Sequence, residues 1–165
     1  MIIREVESWD QDALLEFYWS LSEAVREVFL PAGPVTPDSV RSHLLSVEEG
    51  RCIGLVLEQN GAIMGHAFVQ CLDTDKPMVS IGLRDAVIGC GYGRKMLERL
   101  LAKADEMGLP ATYLTVVKTN HRAEALYQRM GYVRVGVATF RKPNDSWYMK
   151  RELPSRPAQG ADAAA

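Results

Sequence analysis

The chain has 165 residues, 47% of them hydrophobic and 24% charged, with a net charge of -2. Those proportions exclude a disordered chain, a collagen-like fibre and a small disulfide scaffold, and the length suits one domain with its own core. The near-neutral total argues against a nucleic-acid partner, which needs a basic surface, but it conceals a division: residues 1–75 carry 13 acidic and 4 basic side chains, residues 76–165 carry 8 and 15.

Three cysteines, Cys52, Cys71 and Cys90, form neither a disulfide framework nor a zinc motif, so no metal is expected. The opening MIIREVESWDQD is too acidic for a signal peptide. No apolar run approaches the ~20 residues of a membrane span. A cytoplasmic protein without a membrane partner is expected.

Met1–Val6 reads as a strand. Ser8 or Asp10 caps a helix predicted over residues 10–29, where Leu14, Phe17, Leu21, Val25 and Val28 recur at helical spacing. PAGPVTP at 31–37 breaks it, and Pro37 opens a second helix with Val40, Leu44, Leu45 and Val47 inward. The period then changes. Cys52–Gln59 and Ala62–Leu72 are strand-like and joined by Asn60-Gly61, a two-residue hairpin signal. Met78–Arg84 continues the meander.

A glycine-rich segment, IGCGYG at 88–93, opens a helix with Met96, Leu97, Leu100, Leu101 and Ala104 on one face and a stop at Gly108. Tyr113–Val117 is a strand. Ala123, Leu126, Tyr127 and Met130 mark a short helix ending at Gly131. Tyr132–Phe140 and Trp147–Glu152 close the chain as strands. The order β-α-α-β-β-β-α-β-α-β-β gives an α/β (α+β) fold, a mixed sheet with helices on its faces. One domain over 1–152 is expected, followed by a flexible tail over 153–165, where PSRPAQGADAAA lacks large apolar residues.

Chemistry concentrates in Arg84–Leu97, RDAVIGCGYGRKML. Glycines let backbone N–H groups approach an anion, and a helix N-terminus adds a favourable dipole. Arg94 and Lys95 oppose that dipole unless an anion sits there. The same glycines also suit a tight turn that needs positive φ. The spacing matches neither a Rossmann fingerprint nor a Walker A loop, since Arg94 or Met96 stands where the last glycine belongs and Lys95 is followed by Met96.

The segment resembles motif A of the GNAT superfamily of acyl-CoA-dependent N-acetyltransferases, Arg/Gln-x-x-Gly-x-Gly/Ala, through Gly91 and Gly93. Ile88 replaces the usual Arg or Gln, and Asp85 the usual Pro. Downstream, TVVKTNHRAEALYQRMGY at 115–132 resembles the second signature through Asn120, Ala123, Leu126, Tyr127, Gly131 and Tyr132. The resemblance spans roughly residues 1–152 and implies a mostly antiparallel sheet of about seven strands flanked by four helices.

It also implies acetyl-CoA as co-substrate and direct attack by a primary amine. The pyrophosphate cradle would be Ile88, Gly89, Cys90, Gly91, Tyr92, Gly93, Arg94 and Lys95. A backbone donor near Leu83 and Arg84, where the family's strand bulges, would polarise the carbonyl. Asn120 would bond the pantetheine arm or the backbone nearby. Tyr127 would be the general acid, protonated at neutral pH by its ordinary pKa of about 10; by spacing alone it is equally an inner-face residue of its helix. Cys90 is not needed, since direct transfer to the amine uses no nucleophile from the protein.

No base is evident. Thr115 stands where members that modify protein N-termini carry Glu, which favours a small-molecule amine or amino acid over a peptide acceptor. His66, Asp73, Asp75, Glu23 or a water chain could accept the proton; His43 and His121 read as surface residues. Phe17, Tyr18, Trp19, Phe29, the 31–37 loop, Trp147 and Tyr148 are either core or acceptor wall. The acidic half would attract a cationic amine and the basic half the polyanionic cofactor. A non-catalytic acyl-CoA-binding module of the same fold stays open. Family members are often homodimers, and nothing in the sequence points to an interface.

Overall fold

The computed structural model describes residues 1–29, 33–139 and 145–155. Its elements run β1 (Ile2–Glu5), α1 (Gln11–Trp19), α2 (Glu23–Val28), α3 (Pro37–Glu48), β2 (Ile53–Gln59), β3 (Ala62–Gln70), β4 (Met78–Leu83), α4 (Tyr92–Glu106), β5 (Ala111–Val117), α5 (His121–Arg129), β6 (Val133–Val137) and β7 (Ser146–Glu152). The strands form one seven-stranded sheet in the order β1-β2-β3-β4-β5-β7-β6. Phe140 and the tail from 156 lie outside the described residues, as do positions 30–32 at the start of the proline-rich loop.

The helix expected over 10–29 is two helices. Ser20 donates its hydroxyl to the Phe17 carbonyl at 2.8 Å and Ser22 accepts from the Val25 N–H at 3.3 Å. Hydroxyls that compete with the backbone ladder end one helix and cap the next. Pro37 opens α3 as its first residue, with Thr36 capping through the Ser39 N–H at 3.1 Å. Leu45 faces solvent at 48% exposure rather than inward, while Val40 and Leu44 are buried. Asn60 and Gly61 both take positive φ, 50° and 81°, and join β2 to β3 in the twisted turn their sequence signals.

Two apolar clusters cover opposite faces of the sheet. Leu14, Phe17, Val40, Val56 and Phe68 pack beneath α1–α3. Leu55, Leu57, Val69, Leu114 and the predicted face of α4 (Met96, Leu97, Leu100, Leu101) form the other, with Leu126 and Tyr127 of α5 against it.

The join between the two halves of the sheet is narrow. β4 and β5 are parallel and meet at one ladder pair, Met78 with Tyr113, supported by the Tyr113 N–H on the Pro77 carbonyl at 2.8 Å. β3 and β4, by contrast, are paired from Gly65/Leu83 to Gln70/Met78 without a register shift. The bulge expected near Leu83 is therefore absent from β3–β4, and the opening is the divergence of β5 from β4.

Candidate active site

The strand β4 presents backbone groups to that opening. Arg84 donates its N–H to the Met64 carbonyl at 2.9 Å. Antiparallel pairs alternate between hydrogen-bonded and open, so residues 82, 80 and 78 bond β3. The N–H and C=O groups of Ile81 and Leu83 turn toward the gap. Leu83 also ties the end of β4 to the next helix: its side chain lies 3.4 Å from where a Cβ on Gly93 would sit and 2.5 Å from one on Gly65.

Beyond Leu83 the chain makes a 3-10 turn over Asp85–Val87 and enters the glycine loop. Gly89 and Gly91 hold φ of 85° and 84°, and Gly91 is the N-cap of α4. Only glycine adopts these angles at no steric cost. Ile88, Cys90 and Lys95 commit their N–H groups to the Asp85, Val87 and Gly91 carbonyls. The expected cradle thus narrows to Gly89, Gly91 and the open first turn of α4, Tyr92, Gly93 and Arg94.

Side chains around the loop differ from expectation. Arg84 points away: its Nε bonds the Ile63 carbonyl at 2.9 Å and Nη2 faces Glu16 at 3.8 Å. Arg94 pairs with Glu98 at 2.7 Å, an i,i+4 contact that accounts for its place in the first turn. Lys95 lies 5.5 Å above the Tyr92 ring, and Ile88 is 42% exposed. The cation that reaches the loop is Arg122, whose guanidinium is 2.9 Å from where a Cβ on Gly89 would be. The signal was legible: Arg122 stands in the first turn of α5, as poorly placed for that helix as Lys95 is for its own.

Asn120 caps α5, its side-chain oxygen accepting the Ala123 N–H at 3.3 Å. Only its amide NH2 faces outward duties. Tyr127 packs edge-on to Tyr132 at 6.1 Å, and burial pushes its hydroxyl up to about 12, so it is protonated at neutral pH. Tyr132 is itself held by Thr112 at 2.7 Å.

A cavity of about 1260 Å3 lies across the opening, between α1–α3 on one side and β5, β7 and α5 on the other. Tyr18, Phe29, His43, Phe68, Ile81, Thr115, Tyr127 and Tyr148 contribute to its wall, with Lys76 at the start of β4. Leu83 and the glycine loop are not among the residues that line it. Tyr18 and Phe29 stack at 5.8 Å, and the Phe29 ring occupies the space of a Gly82 side chain, 2.1 Å from an added Cβ. Of the expected wall residues, Phe17 is core, and Trp19 is 60% exposed with its indole N–H on the Val35 carbonyl at 3.2 Å. Trp147 lies under Arg134 and Lys118, at 4.2 and 4.6 Å from its ring centre.

One imidazole, His43, belongs to the wall, and a second, His66, sits behind it. His66 is fully buried, with Nδ1 2.7 Å from the Tyr18 hydroxyl and Nε2 without a partner. Burial, then His43, holds its pKa well below 6.5, while burial raises Tyr18. His43, expected at the surface, stacks edge-on to His66 and Phe68 at 5.0 and 4.8 Å, and burial lowers it to about 4. The other candidate bases, Asp73, Asp75 and Glu23, are not among the residues lining the cavity.

Several acids of the first half are held in ion pairs. Asp10 and Glu58 bind Arg4 at 2.8 and 2.6 Å, Asp38 binds Arg41 at 2.9 Å, and Glu5 and Glu49 pair with Lys103 and Arg51. No helix among the described residues is long and apolar enough to cross a membrane.

Residues 8–132 match the model of the GNAT acetyltransferase family. A ribosomal-protein-bS18-alanine N-acetyltransferase of Haemophilus influenzae is 29% identical over 87 residues, 53% of this chain and 59% of that protein. A D-amino-acid N-acetyltransferase of Saccharomyces cerevisiae is 45% identical over 42 residues, 26% of each chain. The aligned stretches thus span little more than half of the first relative and about a quarter of the second. Among solved structures, the Salmonella typhimurium protein yncA with its cofactor acetyl-CoA superposes with a TM-score of 0.78 at 22% identity, over 98% of both chains. By the match to its family model and by its fold, the chain belongs to the GNAT family of acetyltransferases.

Proposed function

We propose that this protein transfers an acetyl group from acetyl-CoA to a primary amine by direct attack. The observation that carries the reading is the meeting, at the end of β4, of a glycine-rich helix N-terminus with an aromatic cavity that Tyr127 lines. The first can hold a pyrophosphate, and the second can admit an amine.

The fit is argued from this chain. Gly89, Gly91 and the first turn of α4 offer backbone N–H groups, and Arg122 adds charge beside Gly89. Acetyl-CoA, when bound, supplies the activated thioester. The N–H groups of Ile81 and Leu83 face the gap where negative charge would develop on the carbonyl oxygen. Tyr127, kept neutral by burial, donates a hydrogen bond to the departing sulfur and passes it a proton. The Asn120 side-chain NH2 is free of the cap and can bond the ligand's amide arm. The acceptor is a small-molecule amine or amino acid, or the end of a peptide; the Haemophilus relative's name points to the latter. Three free cysteines suit a cytoplasmic setting.

Acetyl-CoA should raise the melting temperature, and mixing it with amines should release free thiol at a rate set by the amine. Binding without release from any amine would make the protein an acyl-CoA-binding module. Neither binding nor release would sink the reading.

A further inference from the structure

We infer that Tyr18, His66 and Phe29 are positioning residues, which act through Gly82 to set the aim of the backbone donors that β4 turns into the gap. The inference rests on the acetyl-transfer reading and adds three side chains of the α1–α3 side to the machinery of the same site.

β4 is weakly supported where its donors are. Its ladder with β5 is the single pair Met78/Tyr113, and Gly82 lies about 13 Å further along the strand. Among the described residues no strand pairs the outer edge of that stretch. The ladder to β3, from Gly65/Leu83 to Gln70/Met78, holds it from one side only. Yet this is the stretch from which the N–H groups of Ile81 and Leu83 face the gap, and a donor to a developing oxyanion works only if its direction is fixed in advance.

Two glycines let side chains grip the stretch through its faces. On the α4 face, Leu83 fills the place of a Gly65 side chain, 2.5 Å from an added Cβ. On the other face, the Phe29 ring fills the place of a Gly82 side chain, with three ring carbons 2.1, 2.2 and 2.6 Å from an added Cβ. Gly82 is not among the glycines at positive φ, so no backbone need accounts for it. What the fold uses at Gly82 is the missing side chain.

The ring is held in turn. Phe29 follows α2 and is buried. Tyr18 of α1 stacks on it at 5.8 Å with the ring planes 16° apart, and the Tyr18 hydroxyl is 2.7 Å from His66 Nδ1. His66 is the residue directly opposite Gly82 in the β3–β4 ladder, at a position where antiparallel strands exchange hydrogen bonds. The contacts therefore close a circuit: His66 to Gly82 through the ladder, Gly82 to Phe29, Phe29 to Tyr18, and Tyr18 back to His66. The Gly82–Leu83 peptide carries the Leu83 N–H, so a ring seated on Gly82 sets the direction of that donor first and of the Ile81 donor behind it.

The choice of His66 fits this part. It is fully buried and its Nε2 has no partner, which costs stability that an apolar side chain would not. What an apolar side chain cannot supply is a directional bond that fixes where the Tyr18 ring lies.

The test uses the full chain with acetyl-CoA isotope-labelled at the carbonyl carbon. It reads the carbonyl stretch of the bound thioester by infrared difference spectroscopy and measures affinity beside it, so it needs no acceptor. In the wild type the stretch should lie below that of free acetyl-CoA, because hydrogen bonds to the oxygen weaken the C=O bond. Gly82→Ala drives the Phe29 ring out of its notch, and Phe29→Ala empties the notch. Each should move the stretch most of the way back to the free position, with acetyl-CoA affinity within about 2-fold because the glycine loop holds the pyrophosphate. The double variant should show no larger change than Phe29→Ala alone, as for two residues that act through one contact. Tyr18→Phe keeps the rings and removes only the bond to His66; it should move the stretch part of the way, and it decides the matter where an alanine variant does not fold. Thiol release from alaninamide or spermidine should slow with the spectral change, by about 10-fold in kcat for Phe29→Ala, short of the roughly 100-fold or more that loss of a whole donor costs.

An unmoved stretch in the variants overturns the inference and leaves acetyl transfer standing. So does a large loss of acetyl-CoA affinity, which would mean that the rings shape the binding site as a whole. A wild-type stretch equal to that of free acetyl-CoA overturns the inference together with the backbone donors, although binding stands. Absence of thermal stabilisation by acetyl-CoA removes the acetyl-transfer reading beneath it.

Discussion

The two sides of the gap beside β4 are built by opposite means. On the α4–α5 side the contacts are backbone N–H groups freed by glycines at positive φ, with Arg122 laid over Gly89. On the α1–α3 side they are rings: Phe29 seated on Gly82, Tyr18 stacked on Phe29 and bonded to His66, and His43 against Phe68. One side invites charge and the other excludes it. The difference teaches that the split in formal charge along the chain is informative for only one half. The basic half does place a cation at the glycine loop, whereas Glu5, Asp10, Glu16, Asp38, Glu49 and Glu58 of the first half are held in ion pairs.

The largest expected effect tests how far the ring-lined side excludes charge. His43 and His66 are neutral in the folded chain and protonate freely when it unfolds. Between the ordinary histidine value of 6.5 and about 4 for His43, the unfolded state binds more protons. Stability is therefore complete above pH 6.5 and is lost as pH falls toward 4, by about 3 kcal/mol from His43 alone. Glu5 and Asp10, whose carboxyls are held below their usual range by Lys103 and Arg4, lose their contribution only at lower pH. The melting temperature measured from pH 7.5 to 4 should drop in this window, and His43→Phe should make the drop smaller, leaving the part that His66 contributes. A flat wild-type profile would mean that water reaches both imidazoles.

How much of this was legible in sequence depends on the range of the force involved. Asn60-Gly61, Pro37, Gly91 and Gly108 each announce a local backbone need, and each sits where its chemistry says. The face of α4 follows from spacing alone. The break at Ser20–Ser22 was written in two hydroxyls, but the apolar spacing across it ran on unbroken and outweighed them. His43 could not be placed because its burial comes from β3 residues 66 and 68, distant in sequence. Arg84 looked like a backbone donor beside Leu83 by adjacency, yet its N–H bonds the Met64 carbonyl and its side chain the Ile63 carbonyl across the sheet. The gap itself depends on where β5 leaves β4, which no residue pattern marks.

The next effect asks whether Tyr127 belongs to the chemistry or only to the packing that separates the two sides. Tyr127→Phe keeps the ring against Tyr132 and removes the proton donor. The expected loss in kcat is about 100-fold, the lower end for a general acid, with acetyl-CoA affinity and melting temperature nearly unchanged. An unaltered kcat would leave Tyr127 as a core residue that happens to border the cavity.

The smallest effect isolates the charged side. Arg122 is exposed, so its pull on a phosphate is screened by salt. Arg122→Ala should weaken acetyl-CoA binding about 5-fold at low ionic strength and less than about 2-fold at 0.5 M salt. The melting temperature of the free protein and the KM for a neutral amine should stay where they are. Titrating acetyl-CoA into both proteins at two salt concentrations separates the possibilities. A loss of affinity that salt does not erase would mean that Arg122 shapes the Gly89 turn rather than attracting the ligand. Equal affinities at both salts would leave the backbone of the loop as the whole of the anion site, and the contrast between the two sides would then be one of N–H groups against rings, with side-chain charge playing no part.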